Sequence, residues 1–104
     1  MAKFVYVYHG GSTPQSEAEG KAVMDAWMAW FGALGAAVVD GGAPLGKSKT
    51  VSANGVADNG GANPASGYSI VEAADMAAAV TMAKGCPILA DANGSVEIAE
   101  AMAM

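Results

Sequence analysis

Lys3-Phe4-Val5-Tyr6-Val7-Tyr8-His9 is the stretch on which the reading of the fold turns. Side chains alternate across a strand, and here both sets are apolar: Phe4, Tyr6 and Tyr8 on one face, Val5 and Val7 on the other. Such a strand is covered on both sides. Only two other stretches of the chain read as helices, and two helices cover one face of a small sheet. The second face then needs another protein surface, which predicts a homodimer packed sheet to sheet.

The chain has 104 residues, 53% hydrophobic and only 14% charged, which predicts a single domain over 1–104 with a real core and sparse surface charge. Ten acidic residues stand against five lysines, and there is no arginine, so the net charge is -5. A chain without the guanidinium fork and with an acidic balance is not built for a polyanion, and no nucleic-acid partner is expected. No apolar run reaches eighteen residues, so no membrane span is expected. The N-terminus opens directly on a strand pattern rather than a leader, which with the single cysteine, Cys86, points to the cytoplasm.

After His9-Gly10-Gly11, the residues from Ser12 to Glu17 read as a loop. Ser16 with Glu19 has the spacing of a capping box, and Val23, Trp27, Trp30, Phe31 and Leu34 recur as one helical face, closed by Gly35. Ala36 to Asp40 reads as the second strand. Lys47 to Val56 forms a small hairpin around Asn54-Gly55, and Asp58 to Gly67 a glycine-rich loop. Tyr68 to Ala73 is the third strand, Asp75 caps a second helix that stops at Gly85 and Pro87, and Ser95 to Glu100 is the fourth strand, with Ala101 to Met104 its extension or tail. Right-handed crossovers fold this order into an α+β ferredoxin-like sandwich, a four-stranded antiparallel sheet with both helices on one face and a hairpin excursion.

On that frame a family resemblance can be traced. Tyr8-His9-Gly10-Gly11, Leu34-Gly35 leading into Val38-Val39-Asp40-Gly41-Gly42, Thr50-Val51, Gly67-Tyr68-Ser69-Ile70-Val71-Glu72, Ala83-Lys84-Gly85-Cys86-Pro87 and Gly94-Ser95-Val96-Glu97-Ile98 together resemble the YCII-related, or DGPF-domain, family. The resemblance implies a dimeric α/β barrel, with two ferredoxin-like sheets back to back around a cavity, and a histidine-aspartate pair of hydrolase-like character in some relatives. Where the family often carries Asp-Gly-Pro followed by an aromatic residue, this chain has Asp58-Asn59-Gly60-Gly61 and lacks both the proline and the aromatic wall.

His9 is the only histidine and ends the first strand. In a ferredoxin-like sheet the first and second strands run parallel, which sends Asp40 to the same sheet end, with Tyr68 between them. A histidine oriented by a carboxylate can act as general acid or base near neutral pH. Gly10, Gly11 and Tyr68 are then the expected ligand contacts. The alternative for the same residues is structural, with Asp40 bonded to the Gly41-Gly42 turn.

Gly41 to Ser48 also fits the phosphate-loop pattern of Gly, four residues, Gly-Lys-Ser. That chemistry needs a helix N-terminus behind the lysine, and the following Lys49-Thr50-Val51 is strand-like, so the match is read as chance. Cys86 follows a helix C-terminus, whose dipole disfavours a thiolate, and is read as packed and inert. One histidine and one cysteine are too few for a metal centre, and no metal or other cofactor is expected. Two functions remain: a small-molecule enzyme using His9 and Asp40 in the dimer cavity, and a non-catalytic binding or regulatory dimer.

Overall fold

The computed structural model describes residues 1–11 and 14–103. The expected loop at Ser12 and Thr13 and the end of the tail at Met104 lie outside them. The chain runs through β1 (Ala2–His9), α1 (Glu17–Leu34), a 3-10 turn (Gly35–Ala37), β2 (Val38–Pro44), β3 (Thr50–Ser52), β4 (Gly55–Ala57), β5 (Ala65–Ala73), α2 (Met76–Ala83), a second 3-10 turn (Pro87–Ala90) and β6 (Ser95–Glu100). Four strands form one sheet in the order β2-β5-β1-β6, every neighbouring pair antiparallel, while β3 and β4 pair only with each other. This α+β order is compatible with a ferredoxin-like fold.

Local chemistry sets the helix ends. Ser16 Oγ accepts the Glu19 amide at 3.1 Å, and Asp75 Oδ1 accepts the Ala78 amide at 2.9 Å. Gly35, at φ +56°, takes the left-handed turn out of α1.

Both helices pack on the Phe4, Tyr6 and Tyr8 face. Tyr6 is fully buried, stacks on Trp30 of α1 with ring centroids 6.1 Å apart, and donates its hydroxyl to the Ala79 carbonyl of α2 at 2.6 Å. Tyr8 donates to Ser69 Oγ at 2.8 Å, and Ser69 donates onward to the Gly41 carbonyl at 2.7 Å, a relay tying the centre of the sheet to its edge strand. Burial pushes the Tyr6 hydroxyl up to about 12, with Cys86 nearby adding to it, and raises Tyr8 further. Val71, Ala73, Ala79, Ala83 and Cys86 complete the core.

Four expectations about the elements are corrected, the first being that the third strand begins at Ala65 rather than Tyr68, because Ala65 and Gly67 already pair with β1. The second strand starts at Val38, not Ala36, and runs on to Pro44, because the chain leaves α1 through a 3-10 turn before it can pair with β5. Val23 is exposed rather than core, since the N-terminal half of α1 extends past the packed region and only Trp27, Trp30, Phe31 and Leu34 reach it. In the hairpin, Ser52 pairs with Gly55, so Ala53 and Asn54 make the turn and no residue other than glycine takes a positive φ.

The other sheet face carries no helix of the described residues. Register places Val5 opposite Ile70 and Val7 opposite Tyr68, all four half-buried, with Lys3 opposite Glu72 at one end. The molecule measures 43 × 42 × 21 Å, and its short dimension is that of one sheet plus one helix layer at ~10 Å each. Its radius of gyration is 14.8 Å, against about 13 Å for a compact chain of this length, as expected for a slab with a projecting arm.

Candidate functional site

His9 continues the Val5, Val7 series onto the helix-free face. It is 7% exposed, and both ring nitrogens are engaged: Nδ1 lies 3.2 Å from the Pro64 carbonyl and Nε2 lies 2.9 Å from Glu97 Oε1. A carbonyl and a carboxylate both accept, so only the doubly protonated ring donates to the two together, while a neutral ring donates to one. Glu97 sits opposite Val7 on β6, diagonal to His9, and its side chain remains 67% exposed. The pair ties the edge strand β6 and the loop before β5 to the end of β1.

Asp40 is not His9's partner, which corrects the expected pairing. Register sets it opposite Ile70, level with Val5, because β2 continues beyond it to Pro44. Two strand spacings across and four residues along the sheet leave the two residues about 16 Å apart. Asp40 Oδ1 instead accepts the Gly42 amide at 2.8 Å. The irregular stretch of β2 between Asp40 and Ala43 needs glycine, for Gly42 has φ +72° and a Cβ there would stand 1.7 Å from the Tyr68 carbonyl oxygen. Tyr68 does share the open face with His9, one strand over and on the diagonal.

The two glycines after His9 divide. A Cβ on Gly10 would lie 2.0 Å from the Asn93 carbonyl oxygen, so the close approach there is made by the chain itself. Gly11 has only Ile88 side-chain atoms near its Cβ position, at 3.6 Å and beyond. Both glycines line an open cleft of about 420 Å³ between the end of β1 and the neck of the hairpin arm, with Lys47, Ser48, Asn59 and Ser66 on its walls. The neck is stitched by Lys49 to Asp58 at 2.9 Å and by Thr50 Oγ1 to the Asn59 carbonyl at 2.7 Å. No helix follows Lys47-Ser48; β3 begins at Thr50, so the amide cradle of a phosphate loop is not formed.

Cys86 is 3% exposed, and burial pushes its thiol up to about 11 despite an opposing hydrogen bond with the Ile88 backbone, which makes it a poor nucleophile. Among the described residues no group of three His, Cys, Asp or Glu side chains could hold a metal ion, and no helix is long and apolar enough to cross a membrane.

Glu97 was absent from the expected site. Its only sequence signal is the alternation Ser95-Val96-Glu97-Ile98, which turns it away from the core. That it meets His9 depends on the register of β6 against β1. No protein-family model, curated protein or solved structure matches this chain.

Proposed function

We propose that this chain is a small-molecule-binding module that works as a homodimer, two ferredoxin-like subunits packed sheet to sheet as in the dimeric α/β barrels that its YCII-like segments resemble. One observation carries the reading: Val5, Val7, Tyr68 and Ile70 form an apolar strip on a sheet face with no helix of the described residues over it. An apolar sheet face without a covering layer supports a partner surface there. A second copy suits it because the charges around it are mixed: a two-fold axis along the strands, between β1 and β5, lays Lys3 over Glu72 of the other copy.

Binding is favoured over catalysis because His9, the expected general base, is buried with both nitrogens occupied. The enzyme reading has one observation in its favour. The Glu97 carboxylate is mostly exposed, and its departure would free Nε2 toward the face that carries the Tyr68 hydroxyl.

Sedimentation equilibrium across nanomolar to millimolar protein tests the assembly. A dimer at micromolar concentration is expected; a monomer that is folded and stable there overturns the reading.

A further inference from the structure

The sheet-end cleft between β1 and the hairpin neck brings Lys47, Ser48, Asn59 and Ser66 together. Lys47 lines it and forms no ion pair among the described residues, whereas the charge of Asp58, on the same rim, is met by Lys49 at 2.9 Å. The cleft therefore holds one uncompensated cation. Ser66 also lines it, and its Oγ is shielded from solvent with no hydrogen-bond partner among the described residues. A shielded hydroxyl without a partner is costly, and Ser66 can change staggered wells about χ1 to find one. Gly46 adds backbone with no atom within 4 Å of its Cβ position. The walls are held in place: Gly60 packs closely on Ser48 and Pro64, and Pro64 is tied by its carbonyl to buried His9.

Lys47 and Ser66 are an ammonium and a hydroxyl, which call for an acceptor oxygen with negative charge. A single net cation in a chain of net charge -5 balances a monoanion and leaves a dianion undercompensated. We propose that this cleft binds a small organic carboxylate, with Lys47 as its counter-ion and the rotated Ser66 hydroxyl as its donor. The inference rests on the binding-module reading and gives it a site and a ligand class. His9 is then a positioning residue, holding the Pro64 wall.

The test is a titration of the full chain with sodium acetate, followed by amide NMR at constant ionic strength set with sodium chloride, with inorganic phosphate as the comparison. Acetate should give saturable shifts at Gly10, Gly11 and Gly46 and bind more tightly than phosphate. Lys47→Gln should weaken it by about tenfold or more, and Ser66→Ala by several-fold, with chain fold and sedimentation unchanged. Shifts that rise linearly, that survive Lys47→Gln, or that favour phosphate would overturn the proposal. An unchanged affinity in Ser66→Ala would remove the hydroxyl's role. A monomeric chain that still binds acetate through Lys47 would overturn the dimer and leave the cleft standing.

Discussion

Replacing Val7 with lysine tests the proposed association at a position outside the helix-covered core. Val7 points away from the helix layer and is half-buried in the single chain by its cross-strand neighbours Tyr68 and Glu97. Complete burial of a valine is worth ~1.5–3 kcal/mol, so the third or less left for a second copy to cover is worth about 0.5–1 kcal/mol. A two-fold interface counts each residue twice, which brings the loss to about 1–2 kcal/mol. At ~1.4 kcal/mol per decade this weakens the proposed dimer by roughly 5- to 30-fold, before the added cost of desolvating two ammonium groups. Sedimentation equilibrium reads the dissociation constant and circular dichroism checks that the subunit still folds. Met28→Lys, at a side 65% exposed on α1, is the control expected to leave association unchanged. An unchanged dissociation constant for Val7→Lys, or equal weakening by Met28→Lys, would show that the sheet face is not the interface.

Gly10→Ala should destabilise the fold strongly, lowering the melting temperature well beyond Gly11→Ala, since both positions have positive φ but only Gly10 is closed off by the Asn93 carbonyl. Comparable losses in the two variants would count against that explanation. Stability should fall in alkali: the folded-state values of Cys86 and Tyr6 are raised from 9.0 to about 11 and from 10.0 to about 12, so the protonated forms are favoured by folding. Their contribution is complete below the unfolded values near 9 and 10 and is lost as pH rises through 11 and 12; a melting temperature that stays flat across that range would refute it. ATP or GTP with magnesium should not raise the melting temperature, because β3 rather than a helix follows Lys47-Ser48. Saturable stabilisation abolished by Lys47→Ala would mean the loop works without that helix.

Short-range chemistry was legible in the chain itself. The alternation of Lys3 to His9 marked β1 and both of its apolar sets, the spacing of Trp27, Trp30, Phe31 and Leu34 marked the packed end of α1, and Ser16 and Asp75 marked helix starts that their side chains do cap. Each depends on residues within a few positions of one another, where covalent geometry and helix or strand period dictate which groups meet. Val23 escaped the same logic because periodicity says which face a residue is on, not whether another element reaches that far along the helix.

The partners of the functional side chains were decided by tertiary structure. His9 and Asp40 could be placed at the ends of parallel strands from sequence, yet the length of β2 beyond Asp40 and its irregular register against β5 moved the carboxylate to the level of Val5. Glu97 took its place beside His9 because β6 pairs with β1 across 88 residues of chain, in a register no local pattern specifies. Strand alternation repeats every two residues, so it constrains the face a side chain occupies and leaves its neighbour on the adjoining strand free, until hydrogen-bond register and the packing of Phe4, Tyr6 and Tyr8 under the helices select one alignment.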